Sequence, residues 1–317
     1  MLNSNLKKEI TFAVPGSKVF ISDHYRNTKE SFINISITGS SCELNCPHCK
    51  THLLKEMTHI SDPDAMEYFI SGKMESGGLN GILISGGFDN NGKLPLRKYL
   101  NSIKKIKNKH HTLKIYAHIG FADFDEAREI RESGIDCVLV NVISSKNVIN
   151  SVYNLPSAVP EDYYRTLKNL KENENRIAPH IIIGLDFGKI ESEYEAVKQV
   201  AKIGADSLVF VVVKKLTREI NFSDTGGYYS NNNAINANDI VSLISFARNL
   251  MPDTPITFGC AKPMINKRGQ LEIDLLNVGI DVIAFPSNES INYVILNKIP
   301  YRFKETCCAM GTVPDLF

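Results

Sequence analysis

The sequence predicts an α/β protein of the (β/α)8 TIM-type barrel class, and two repeating patterns carry that prediction. Eight short runs rich in Ile and Val alternate with longer amphipathic stretches. Nearly continuous apolar runs of this kind are typical of parallel strands that are covered on both faces. The second pattern is a Gly-Ile-Asp or Gly-Ala-Asp tripeptide, which begins at Gly134, Gly204 and Gly279. Eight strand–helix units would close such a barrel, whose active site lies at the carboxyl ends of the strands.

Taken in order, the elements divide the chain into an N-terminal extension (residues 1–30), a barrel (31–300) and a C-terminal tail (301–317). The extension contains one strand-like piece, residues 9–14. The expected barrel strands are residues 32–38, 81–85, 113–118, 136–142, 179–184, 207–213, 256–259 and 281–285. The clearest helical stretches are residues 124–131, 161–171, 191–201 and 239–250, and left-handed glycines are expected to end helices before the next strand.

A long polar loop, residues 217–238, interrupts the alternation after the sixth expected strand. Long loops in compact domains are often functional lids or disordered segments. Because this loop follows a strand on the active-site side, the sequence predicts either a lid over a substrate or a tolerated insertion.

Composition limits the classes of function. With 317 residues, 43% of them hydrophobic, the chain buries a large core. The 36 basic and 35 acidic residues nearly cancel, which argues against a nucleic-acid surface. The N-terminus lacks the apolar core of a signal peptide, and no apolar run reaches the roughly 20 residues that span a bilayer. We therefore expect a cytoplasmic protein with reduced thiols and with neither nucleic acid nor membrane as a partner.

Three cysteines on one short loop are the strongest chemical signal in the chain. Cys42, Cys46 and Cys49 directly follow the first expected barrel strand. Three thiolates hold three irons of a 4Fe–4S cluster and leave the fourth iron open to a substrate, which favours radical chemistry over electron carriage. A structural zinc site, with His48 or His52 as the fourth ligand, is the main alternative. A disulfide framework does not fit an odd total of seven cysteines.

Four further candidates lie where expected strands end: Gly86, Gly87, His118 and Asn141. Two glycines at a strand end let the backbone approach a ligand closely, and polar side chains on this side of a barrel are often functional. A simple turn and hydrogen-bonded core residues explain the same positions equally well. His180 falls at the start of its expected strand, away from the active-site side.

Three other cysteines indicate a second cluster. Cys260 follows the seventh expected strand, and Cys307 and Cys308 are adjacent near the C-terminus. Each alone is compatible with a buried core thiol, but neighbouring side chains of an extended segment point to opposite faces. We expect the three thiols to hold a second iron–sulfur cluster, with the tail folded over the barrel mouth. Cys137, at the start of the fourth strand, is expected to be structural.

The Cys-x3-Cys-x2-Cys loop, followed by Gly86 and Gly87 after the second strand, resembles the radical S-adenosylmethionine (radical SAM) enzymes. Two residues depart from that pattern: His48 replaces the usual Tyr or Phe before the third cysteine, and the acid expected after the glycines is displaced to Asp89. The eight-unit barrel resembles the biotin synthase branch. Residues 36–49, 83–89, 179–185 and 258–263, with the final cysteine pair, resemble archaeal-type biotin-synthase-like proteins, one half of a two-protein lipoyl synthase.

This resemblance implies sulfur insertion into an octanoyl chain on a lysine of a lipoyl-carrier protein. The implied cofactors are S-adenosylmethionine, a 4Fe–4S cluster held by Cys42, Cys46 and Cys49, and a sulfur-donating second 4Fe–4S cluster held by Cys260, Cys307 and Cys308. Implied contacts to the cofactor are His48, Gly86, Gly87, His118 and Asn141. The implied partners are the octanoylated carrier protein, a second radical SAM lipoyl synthase subunit and a ferredoxin- or flavodoxin-type electron donor.

Two alternatives to this function remain open at the level of the sequence. One is a biotin-synthase-like or other radical SAM reaction in cofactor biosynthesis. The other is a non-catalytic iron–sulfur or zinc-binding scaffold. Iron content and cleavage of S-adenosylmethionine distinguish the scaffold from the enzymes, and the number of clusters distinguishes the two kinds of enzyme.

Overall fold

The computed structural model describes residues 9–186, 188–213, 235–263 and 267–310. Over these residues the strands are β1 (Ile10–Ala13), β2 (Phe32–Ser36), β3 (Thr58–His59), β4 (Gly81–Ser85), β5 (Lys114–Ile119), β6 (Cys137–Asn141), β7 (Ile177–Ile183), β8 (Leu208–Val212), β9 (Ile256–Phe258), β10 (Val282–Ala284) and β11 (Tyr301–Lys304). The helices are α1 (His52–Lys55), α2 (Pro63–Glu75), α3 (Leu100–Lys109), α4 (Phe124–Glu132), α5 (Lys146–Ser151), α6 (Pro160–Glu172), α7 (Glu191–Ile203), α8 (Ala237–Leu250), α9 (Arg268–Asn277) and α10 (Asn288–Leu296).

All eight expected barrel strands are present, but the described strands do not close into an eight-stranded barrel. They form one parallel sheet of 11 strands in the order β11-β1-β10-β9-β8-β7-β6-β5-β4-β2-β3. The N-terminal strand β1 pairs with β10, with Thr11 opposite Val282, and so occupies the edge that a closed barrel would offer to β2. The prediction of a full (β/α)8 barrel is therefore corrected to a curled, partial barrel.

Side chains alternate between the two faces of the sheet along each strand, so the sheet has a separate apolar core on each face. Ile33, Ile82 and Ile115 face the helices in the larger core. Phe32 and Tyr116 line the inner face of the sheet, together with Leu139, Ala178, Val209, Val282 and Ala284. Burial on both faces explains why these strands consist of Ile, Val and Leu.

The glycines that end three helices all have positive φ angles, as expected of glycine at these positions. Gly134, Gly204 and Gly279 have φ angles of 83°, 88° and 90°. Residues other than glycine rarely adopt this region, so the repeat reflects a backbone requirement at the end of each helix.

The aspartate of each tripeptide has a structural role of its own. Each carboxylate accepts a backbone N–H from the start of the neighbouring strand and pairs with a basic side chain of an earlier helix. The three sets are Asp136 with Ile115 and Lys107, Asp206 with Ile177 and Lys171, and Asp281 with Ile256 and Arg248. The repeated aspartates thus fasten strands to helices at the amino-end side of the sheet, away from the site.

The first residues of the C-terminal tail form β11, and the described residues after them enter the interior of the sheet instead of covering its mouth, so this part of the fold prediction is also corrected. Thr306 Oγ1 lies 2.8 Å from the Tyr116 hydroxyl of β5, and Thr257 Oγ1 of β9 donates to the Cys308 carbonyl at 3.1 Å. These strands are four apart in the sheet, which must curl around the tail. Small inner-face residues, such as Ala13 and Ala178, leave the room that the tail fills.

Two other expectations concern the long polar loop and membrane-spanning segments. The predicted loop 217–238, with its possible lid, lies outside them except for residues 235–238, where α8 begins. No helix in the described ranges is long and apolar enough to cross a membrane.

Candidate active site at the three-cysteine loop

The three-cysteine loop leaves the carboxyl end of β2, as the sequence predicts, and leads into α1. Its turn is fixed by backbone hydrogen bonds: the Cys46 carbonyl accepts from the N–H groups of Cys49 at 2.9 Å and Lys50 at 2.7 Å. Asn45 and Lys50 both have φ angles of 42°, which bend the loop tightly. The Asn154 side-chain amide donates to the Leu44 carbonyl at 2.6 Å and anchors the loop to the segment after α5.

The environment of the loop disfavours a bare thiolate at Cys46. Burial, together with the neighbouring Cys42 and Cys49, raises the pKa of the Cys46 thiol to about 12. A group that stabilises these thiolates must therefore supply positive charge, as iron does.

The described residues contain no preformed site for a single metal ion at this loop. No three His, Cys, Asp or Glu side chains in the described ranges converge closely enough to hold one metal ion, as a zinc site with His48 or His52 would require. Ligands of a four-iron cluster bind separate irons at separate corners and do not need to converge. The three cysteines are therefore compatible with a 4Fe–4S cluster.

The turn after β4 supports the loop directly. The Phe88 N–H donates to Cys42 Sγ at 3.4 Å, and the Phe88 carbonyl accepts from the Glu43 N–H at 2.9 Å. A Cβ on Gly87 would lie 1.9 Å from the Ser41 carbonyl oxygen and 2.5 Å from Cys42 Cα. Gly87 thus permits a close backbone approach to the cysteine loop, and contact of Gly86 and Gly87 with the cofactor remains a prediction.

Gly87→Ala should therefore displace the cysteine loop. We expect an overpacking cost of about 1–3 kcal/mol and a clear loss of iron after anaerobic reconstitution, measured as iron per chain. Gly72→Ala in α2 is the matched control, because a Cβ there has open space and alanine favours helix by about 1 kcal/mol. Equal iron contents in the two variants would contradict this role for Gly87.

His48 has the features expected of a residue that contacts a ligand. Its Nδ1 is buried and has no hydrogen-bond partner among the described residues, although buried polar atoms are nearly always paired. Burial lowers its pKa to about 4, so the ring is neutral, and it lies 5.5 Å from the Tyr153 ring. The predicted contact of His48 with the cofactor stays a prediction.

His118 and Asn141 lie together, as expected for neighbouring strand ends. His118 Nε2 is 3.1 Å from Asn141 Oδ1, and the Asn141 amide donates to the Tyr153 hydroxyl at 3.4 Å. The His118 ring lies 6.4 Å from that of Phe88, which connects this pair to the cysteine loop. Tyr153 was not anticipated, because it follows a short helix and belongs to no recognisable motif.

The expected place of His180, at the start of its strand and away from the site, is wrong. His180 is the fourth residue of the seven-residue β7, pairs in register with Asn141, and lies 5.8 Å from the His118 ring. The strand begins at Ile177, two residues before Pro179, where the Ile-rich run predicts its start. His180 therefore belongs with the candidate site.

The three cysteines of the expected second cluster, Cys260, Cys307 and Cys308, differ in burial. Cys307 and Cys308 are buried on the inner face, whereas the side chain of Cys260 is exposed at the end of β9. A hydrogen bond with the Cys307 side chain and burial raise the pKa of the Cys308 thiol, while a hydrogen bond with the Cys260 backbone lowers it. The second cluster remains a prediction. Cys137 is buried at the start of β6, a location that suits its expected structural role.

A buried ion pair holds the segment after Cys260. Lys262 Nζ lies 2.5 Å from Glu272 Oε1, and the other carboxylate oxygen accepts from the Ser287 N–H at 2.7 Å and the Ser290 hydroxyl at 2.8 Å. Burial lowers the pKa of Lys262 to about 8. The pair is a local anchor that the sequence pattern did not reveal.

Comparisons with known proteins agree with this geometry. Residues 36–203, more than half of the chain, match the model of the radical SAM superfamily. A search of curated sequences finds no match. The fold resembles the FeFe-hydrogenase maturase HydG from Carboxydothermus hydrogenoformans, with 14% identity, a TM-score of 0.63, and coverage of 96% of this chain and 70% of that one.

Two other solved structures are also similar. Methylornithine synthase (PylB) has 13% identity and a TM-score of 0.53, with 85% of this chain and 72% of that chain covered. Streptococcus suis SuiB bound to S-adenosylmethionine has 12% identity and a TM-score of 0.52, with 74% and 51% covered. The chain spans only 66% of another HydG structure. At such low identities these likenesses show the fold alone.

Proposed function

The chain belongs to the radical SAM superfamily, and from that membership we propose that it inserts sulfur into an octanoyl chain on a lipoyl-carrier protein. Cys42, Cys46 and Cys49 would hold the 4Fe–4S cluster through three of its irons. When bound, the cluster and S-adenosylmethionine supply a radical that removes hydrogen from an unactivated carbon, a step beyond side-chain acids and bases.

The position of Cys307 and Cys308 is the observation that carries the proposal. Both are buried on the inner face of the sheet, the face on which His118, Asn141 and His180 also lie. In this proposal the two thiols, with Cys260, hold the second 4Fe–4S cluster, which donates the sulfur. A sulfur source on the same face as the radical site suits carbon–sulfur bond formation.

The chemical character of the inner face also supports an aliphatic substrate. Its partly accessible apolar side chains include Leu83, Ile182 and Val211. They match a saturated acyl chain and would exclude water from a carbon radical.

The proposal includes the partners implied by the biotin-synthase-like resemblance. They are the octanoylated lipoyl-carrier protein, a second radical SAM lipoyl synthase subunit and a ferredoxin- or flavodoxin-type electron donor.

Incubation with an octanoyl-lysine peptide tests the proposed reaction. The reconstituted enzyme, S-adenosylmethionine and a reductant are combined with the peptide, with and without candidate partner enzymes, and the products are weighed by mass spectrometry. We expect 5′-deoxyadenosine and a thiolated peptide. An unchanged peptide together with 5′-deoxyadenosine in every combination would favour another radical SAM reaction. Near-zero iron, or bound iron without 5′-deoxyadenosine, would favour a scaffold.

A further inference from the structure

A band of partly accessible side chains lies on the inner face between the tail and the cysteine loop. Leu83, His118, Asn141, His180 and Ile182 are half-buried, although they point toward the interior of the curled sheet. Inner-face residues closer to the amino ends, including Tyr116, Ala178 and Val209, are fully buried. The interior is thus filled by the tail at the amino-end side and is accessible at the level of the two histidines.

The hydrogen bonds of His180 identify its accepting atom. Its Nδ1 lies 2.9 Å from the Ala178 carbonyl, which can only accept, so Nδ1 carries the proton. Nε2 is consequently an acceptor, and no partner for it exists within the described ranges. In the neighbouring His118, Nε2 donates to Asn141 Oδ1 and therefore carries the proton. The lone pair of that ring lies on Nδ1.

The surroundings keep His180 neutral. Burial, together with the adjacent His118, lowers its pKa to about 3. Side chains alternate between the two faces along each strand. Within the described bounds of β4 to β9, the one charged side chain on the inner face is Lys114, at the amino end of β5. A charged substrate group beside His180 would find no counter-ion on the carboxyl-end halves of these strands, whereas an uncharged hydrogen-bond donor would be stabilised.

We infer that His180 is a specificity-determining residue whose Nε2 accepts a hydrogen bond from the amide N–H of an acyl-lysine substrate. This inference rests on the proposed function, because it concerns the substrate of the same site. An acyl amide combines one uncharged hydrogen-bond donor with an apolar chain. The site offers the matching groups: the acceptor nitrogen of His180 and the aliphatic side chains around it.

Binding of paired ligands to the reconstituted enzyme with S-adenosylmethionine tests this inference. The probes are an N-octanoyl-lysine peptide and its ester analogue, in which oxygen replaces the N–H. The wild type should bind the amide about 5-fold more tightly than the ester, the effect of one neutral hydrogen bond. His180→Phe should lose this preference through weaker amide binding alone. His180→Gln, which offers an acceptor oxygen near the same place, should retain it, as should His111→Phe at an exposed position.

Each outcome has a definite meaning. An amide preference that survives in His180→Phe, or its absence from the wild type, overturns the inference. If the preference is lost only in His180→Phe and the wild type forms no thiolated product, the inference is supported and the proposed reaction is rejected. If thiolated product forms but replacing His180 does not change the preference, the proposed reaction is supported and the inference is rejected.

Discussion

Cys46→Ala is expected to abolish 5′-deoxyadenosine formation and to remove the iron bound at the three-cysteine loop. Cys46 is the most central of the three thiols, because it is buried and the charges of both Cys42 and Cys49 act on it. Its carbonyl also closes the turn that positions Cys49. Without this thiolate, two ligands remain for a cluster that needs three.

The measurement is iron and sulfide per chain after anaerobic reconstitution, together with 5′-deoxyadenosine from S-adenosylmethionine. Cys137→Ala is the control, since Cys137 is a buried thiol at the opposite end of its strand from the site. It should retain the iron content and the cleavage activity of the wild type. Wild-type cleavage by Cys46→Ala would refute the assignment of the radical site.

Replacing both Cys307 and Cys308 with alanine should separate radical formation from sulfur insertion. We expect the iron content to fall by about one cluster and thiolation of the octanoyl peptide to stop. Cleavage of S-adenosylmethionine should continue, because the three-cysteine loop is held by β2, the Gly87 turn and Asn154, and the described part of the tail does not hold it.

A purely structural role for the tail cysteines makes a different prediction. Cys307 and Cys308 pack among small inner-face residues, so their truncation would lower the unfolding temperature and leave the iron content unchanged. Thermal unfolding and iron analysis of the same preparations distinguish the two roles. A full iron content in the double variant would disprove the second cluster.

Local patterns predicted the strands, the helix-ending glycines and the position of the cysteine loop. They depend on residues near one another in sequence, such as Gly134 followed by Asp136, and local backbone preferences decide them. Closure of the sheet was not predictable in this way. It depends on whether β1 or β2 pairs with β10, a competition between segments far apart in the chain.

The site residues show the same division. His118 and Asn141 could be placed because each ends its strand, whereas His180 was misplaced because strand bounds inferred from Ile and Val runs are uncertain by a few residues. The path of the tail was also hidden from the sequence. Its direction depends on small inner-face side chains of several strands, which become neighbours only when the sheet curls.

Transfer of deuterium from the substrate tests the central claim most directly. The enzyme is incubated with S-adenosylmethionine, a reductant, candidate partners and a peptide whose octanoyl chain is fully deuterated, and the 5′-deoxyadenosine is weighed. We expect 5′-deoxyadenosine that carries deuterium, in step with the appearance of thiolated peptide. Unlabelled 5′-deoxyadenosine throughout would show that the radical never reaches an octanoyl chain, and would contradict the proposed function.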